Sequence, residues 1–131
     1  MESFARSQLS ALLDSLALEL QKAAKRQSAE AIHRMRVSIR RMVQGLRVFR
    51  QFVPDTESKK LRKQLRRMMK LSSTVRDYDI ALQYLTKHGL QPKDIVARRL
   101  ESKRALAETV RAVSRPDLPQ KWRQRLGLDT Q

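Results

Sequence analysis

The chain has 131 residues, a length that suits one domain able to bury roughly two thirds of the surface its unfolded form would expose. Lys plus Arg number 29 against 13 Asp plus Glu, a net charge of +16, which points to polyanionic partners: nucleic acid, inorganic polyphosphate or an anionic membrane surface. The absence of cysteine excludes disulfides and thiolate metal sites, two distant histidines argue against a metal centre, and no apolar run approaches the ~20 residues of a membrane span. No cofactor is implied. The amino terminus lacks the basic start and unbroken apolar stretch of a signal peptide, so a cytoplasmic protein without membrane insertion is the expectation.

The first predicted helix covers about Ser3 to Gln27, with Leu9, Leu13, Leu16 and Leu20 at alternating steps of four and three. Ser28 is placed to cap a second helix, with Glu30 in its first turn, and that helix is expected to reach about Val53 before Pro54 stops it. Its apolar arc holds Ile32, Met35, Ile39, Met42, Val43, Leu46, Phe49 and Val53, and Gly45 suits the close approach of a neighbour. A third helix starts at Asp55 or Thr56 and continues through Leu61, Leu65, Met68 and Met69. Ser72-Ser73-Thr74 weakens the helical preference and suggests a kink or break there, and Gly89 marks the stop. A fourth helix runs from near Pro92 to about Val113, and Trp122 and Leu126 suggest a short closing helix. The expected fold is all-α: an antiparallel four-helix bundle with a short C-terminal helix, one domain over residues 1–131.

The basic surplus is concentrated. Sixteen Lys or Arg lie between Lys25 and Arg76, opposed only by Glu30, Asp55 and Glu57. Taking His33 as zero, helical geometry puts Arg36 near about 300°, Arg47 near about 320° and Arg40 near about 340°. One imidazole and three guanidiniums thus share a stripe roughly 60° wide and some 21 Å long, beside the apolar arc. Like charges at this spacing repel. Either acids on a neighbouring helix meet the stripe, or it is a solvated face, or it is a phosphate ladder using the bidentate fork of arginine. Arg62, Arg66 and Lys70, at steps of four on the third helix, form a second stripe that could face the first across a groove.

Arg99 and Lys103 project from the apolar arc of the fourth helix, where an unpaired cation is costly. They are paired with acids, reach outward along their stems, or line a groove for an anion. Arg76-Asp77-Tyr78-Asp79 follows the serines. Thr74 and Asp77 could cap a resumed helix, and Asp79 is expected to pair with and orient an arginine. Two carboxylates could also hold Mg²⁺ or act as an acid–base pair, but no phosphate loop or second acidic cluster accompanies them, so no catalytic residue is assigned. His33 is either a hydrogen-bonded structural residue or, beside phosphates, a cation that makes binding pH-sensitive. His88, next to Gly89, reads as a helix C-terminal residue.

His33-x-x-Arg36-Val37-x-x-Arg40-Arg41-Met42, then Leu46-x-x-Phe49, and later Val75-Arg76-Asp77-Tyr78-Asp79-Ile80, resemble the CHAD family, over about Ser3 to Trp122. The resemblance implies an all-helical fold with a basic groove that binds inorganic polyphosphate without catalysis; some members travel with a triphosphate-processing CYTH domain and others associate with storage granules. It points to His33, Arg36, Arg40 and Arg41, to Arg76, Asp77 and Asp79, and more loosely to Arg47, Arg62, Arg66, Lys70, Arg99 and Lys103. Two departures stand out. Val43 occupies a place where members often carry a further arginine, and a typical member holds two four-helix bundles where this chain has sequence for one. A homodimer that rebuilds the complete groove follows as an expectation. Non-specific contact with nucleic-acid phosphates is the alternative function, weakened by the scarcity of aromatics for base stacking.

Overall fold

Every leucine of the first apolar stripe is inward. In the computed structural model, which describes residues 1–90 and 92–129, helix α1 (Glu2–Lys25) buries Leu9, Leu13, Leu16 and Leu20 completely. Helix α2 (Ala29–Val48) begins where Ser28 accepts a hydrogen bond from the Ala31 amide at 3.0 Å, satisfying one of the free donors of the first turn. It buries Met35, Ile39, Met42 and Leu46 against α1.

The second helix ends five residues earlier than expected. After Val48 the chain tightens into a short 3-10 turn (Arg50–Phe52), and Val53 is extended, as a residue before proline prefers. The tighter turn brings Phe49 edge-on to Phe4 of α1, with ring centroids 6.1 Å apart.

Helix α3 (Asp55–Lys87) runs unbroken through the serines, so the expected interruption and the Thr74–Asp77 cap are both corrected. The hydroxyls bond backward within the helix: Ser72 and Ser73 donate to the Met69 carbonyl at 2.9 and 3.0 Å, and Thr74 to that of Lys70 at 3.2 Å. Gly89, at φ 76°, closes α3 with the Leu90 amide on the Leu85 carbonyl and its own amide on that of Thr86. Helix α4 (Lys93–Val113) and helix α5 (Leu118–Arg125) follow, and α5 seats Trp122 in the core with Arg125 over its ring.

α1 packs on α2, α4 and α5, while α3 packs on α2 and α4. Gly45 of α2 lies against Leu9 and Leu12 of α1, Arg36 bonds to α3 at Met69–Ser73, and Arg99 of α4 pairs with Asp79 of α3. The successive long helices pack side by side with the core between them, and the α2–α3 seam is more open than the α1–α2 and α3–α4 seams. Among the described residues no helix is long and apolar enough to cross a membrane.

Candidate anion-binding grooves

The loose α2–α3 seam opens into a cavity of about 450 Å³ lined by Arg40, Arg47, Arg62 and Arg66, over a floor of Ile39, Val43 and Met69. Arg40 and Arg47 come from the flank of the α2 stripe, and Arg62 and Arg66 from the first half of α3, so the two predicted stripes do face each other. Lys70 does not join them. Each step of four drifts about 40° round a helix, so Lys70 ends up opposite the core, exposed to solvent.

The counter-charges in this stretch are committed elsewhere. Glu30 pairs with Arg34, Asp55 with Lys59 and Glu57 with Lys60 through Oε1, its Oε2 being buried without a partner. Among the described residues none of Arg40, Arg47, Arg62 and Arg66 takes part in an ion pair, and Arg62 Nε is buried with no hydrogen-bond partner. A buried charged donor left without an acceptor is costly, and here it borders an open cavity rimmed by three more guanidiniums.

Arg36 has a different setting. Its Nη1 donates to the Met69 carbonyl at 3.1 Å, to Ser72 Oγ at 2.6 Å and to Ser73 Oγ at 2.9 Å, tying α2 to α3. Desolvation pulls its pKa below the usual arginine value, Arg40 and Arg76 add to the decrease, and Asp77 opposes it. Asp77 itself is exposed.

Beyond Arg36 lie two further hollows, the first between α2 and α3 and the second reaching α4. One, of about 270 Å³, is lined by His33, Arg36, Ser72, Arg76 and Asp79. The other, of about 500 Å³, shares Arg76 and Asp79 and adds Arg99, Lys103 and Gln27. Arg99 Nε donates to Asp79 Oδ1, so of the three alternatives for Arg99 the acidic partner applies, and Asp79 holds an arginine as expected. Lys103 lines the cavity beside this pair, and its carbonyl accepts from Gln27 Nε2 at 3.2 Å.

Arg41 is placed apart. About 80° from His33 on the wheel, it lies on the flank of α2 toward α1, in a cavity of about 440 Å³ with Glu19, Arg34 and Ser38. His33, exposed on the crest of α2, borders both this cavity and the one with Arg36. His88 ends α3 as expected, its Nδ1 2.9 Å from the Tyr84 carbonyl and its ring stacked on Tyr84. Sequence reasoning missed the serine acceptors of Arg36; their position, a multiple of helical turns along the facing helix, is visible only once the α2–α3 register is known.

Among the described residues no three His, Cys, Asp or Glu side chains gather where they could hold a metal ion. The arginines that line the cavities are instead suited to oxyanions, being planar, permanently charged donors held on helices. No curated protein and no solved structure is significantly similar to the chain. The family model of the CHAD domain matches residues 7–130, nearly the full length, and the chain belongs to that family.

Proposed function

We propose that the protein binds inorganic polyphosphate, without chemistry on it, along the arginine-lined seam between α2 and α3 and on into the hollows bounded by α4. The observation that carries this reading is the α2–α3 cavity: four arginines, no acid pairing with them, and one guanidinium nitrogen buried without an acceptor. A chain of phosphates would supply oxygens at intervals along the seam, and each carboxylate of the segment already faces a Lys or Arg of its own helix. Arg40, Arg47, Arg62 and Arg66 form the first part of the track, and Arg76, Arg99, Lys103, His33 and the free edge of Arg36 the second. Asp79 orients Arg99, and Asp77 offsets the crowding of charge round Arg36. Lys70 and Arg41 contribute to the general positive field. Two copies pair to complete the binding surface, and the proposed setting is the cytoplasm, at polyphosphate or storage granules.

The test is a titration of the protein with long-chain polyphosphate, single-stranded DNA and duplex DNA at matched ionic strength, with and without Mg²⁺. Tighter binding of polyphosphate than of either nucleic acid is expected, with affinity falling steeply as salt rises because counterions are released on binding. Equal affinity for all three would leave a generic polyanion binder that contacts nucleic-acid phosphates as readily.

A further inference from the structure

The helices of the bundle are not of equal reach. The start of α2, at Ala29 and Ile32, lies beside Val75, Arg76 and Asp79 of α3, and the turn between α1 and α2 meets α4 at Lys103 through Gln27. Past those points α3 continues to Lys87 and α4 begins at Lys93. At about 1.5 Å per residue, the α3–α4 hairpin extends some 12–15 Å beyond the ends of the other two long helices. No residue of α3 after Val75, and none of α4 before Leu106, is buried.

This tip is apolar where a solvated hairpin would be polar. Ile80, Tyr84, Val96 and Leu100 are 54%, 62%, 52% and 53% exposed. Ile80 and Tyr84 lie about 100° and 140° round from Leu61, on the flank of α3 that α2 covers lower down. Val96 and Leu100 lie about 80° and 120° round from Leu106, on the far flank of α4. Between the flanks sits the half-exposed Asp79–Arg99 pair. The tip is also less charged than the rest of a chain of +16: residues 80–102 hold four Lys or Arg and two Asp or Glu.

We propose that this tip is the surface through which two copies of the chain associate, a proposal that rests on the pairing put forward above and gives it a location. Each copy offers two helices and lacks the two that would cover them, so two tips brought together antiparallel make a four-helix arrangement between copies. A second copy of the same chain is favoured over an unrelated partner on charge as well. Its own tip carries little of the chain's surplus, and an end-to-end approach keeps the two arginine-lined α2–α3 cavities, the regions of strongest mutual repulsion, at opposite ends. The hollows holding Arg76, Arg99 and Lys103 lie at the root of each tip, so association brings them toward one another and joins two tracks into one.

The experiment is light scattering of the full chain at micromolar concentration, free of polyphosphate, for the wild type and for Tyr84→Asp and Leu100→Asp. Both sites are more than half exposed, and circular dichroism checks that helix content is kept. The expected result is twice the 15.3 kDa chain mass for the wild type and a single-chain mass for both variants. A second measurement uses the absence of cysteine: Tyr84→Cys under mild oxidation is expected to yield a covalent dimer, and Val48→Cys, at the other end of the bundle, is not. A double mass retained by both aspartate variants would overturn the tip as the interface and leave the pairing standing. A wild type that stays single would overturn both, as would a mass that doubles only when polyphosphate is added and does so equally in the variants.

Discussion

Arg36 and Arg40 stand one turn apart on α2 and serve different ends. Arg36 spends one nitrogen on three acceptors of α3, in a place where burial and two neighbouring cations make its charge less favourable than in water. A base whose folded-state pKa is lowered weakens the fold at every pH below that value, so at neutral pH its hydrogen bonds offset a standing cost. Arg40 is exposed on the rim of the α2–α3 cavity and bonds to nothing that the fold needs. The two should therefore separate by assay. Arg36→Ala is expected to lower stability by about 1–2 kcal/mol, read as a fall in the thermal midpoint, because charged hydrogen bonds across the seam are lost. Arg40→Ala combined with Arg62→Ala is expected to leave the fold intact and weaken polyphosphate binding by about tenfold or more, a decade being about 1.4 kcal/mol. Unchanged affinity in that double variant would remove both residues from the site.

At the scale of the helices, α1 and α2 meet closely because Gly45 has no side chain. A Cβ there would come 2.6 Å from Leu12 Cδ1 and 3.3 Å from Leu9 Cδ2. Leu12 is half-buried and can turn aside, but Leu9 is enclosed, so the seam tolerates a methyl far better than a branched chain. Gly45→Leu is expected to cost about 1–3 kcal/mol by overpacking, seen as a lower urea midpoint, whereas in Gly45→Ala the gain in helix propensity offsets much of the crowding. The place of Gly45 was legible before any coordinates, as were the Ser28 cap, the Gly89 stop and the facing of Arg62 and Arg66 toward Arg40 and Arg47. These follow from local chemistry and from the 3.6-residue period. The continuity of α3 was not, because the three hydroxyl residues have two outlets of similar cost, a break or a backward bond to the preceding turn, and packing against α2 and α4 decides between them. The early end of α2 was hidden for the same reason: it goes with a contact between Phe49 and Phe4, far apart in sequence, that the local pattern does not show. That Arg41 faces a different cavity from Arg40 was not legible from the motif, because adjacent residues diverge by about 100° and a motif written along the chain does not show which flank each takes.

For the molecule as a whole, a charge of +16 sets two salt effects of opposite sign. The free protein repels itself, chiefly along the seam, and added salt screens that repulsion. The proposed complex with polyphosphate would be held by the attraction that salt weakens. Raising ionic strength is therefore expected to raise the thermal midpoint of the free protein while lowering its affinity for polyphosphate, and to reduce the extra stability that bound polyphosphate confers. A midpoint that falls with salt in the absence of ligand would contradict the view that the seam is under electrostatic load.

One consequence of the unbroken α3 remains. Arg62, in the first cavity, and Arg76, in the second, stand on a single rod, about 21 Å apart at 1.5 Å per residue. Had the serines broken the helix, the two halves could have hinged and adjusted to whatever they held. With a continuous helix the interval is fixed, and the protein becomes a ruler. Under the proposed function, a phosphate chain shorter than the interval would occupy one cavity or the other. A chain that spans it would find the second cavity already at the correct distance, and would gain the advantage of a tethered second contact without any new residue being involved.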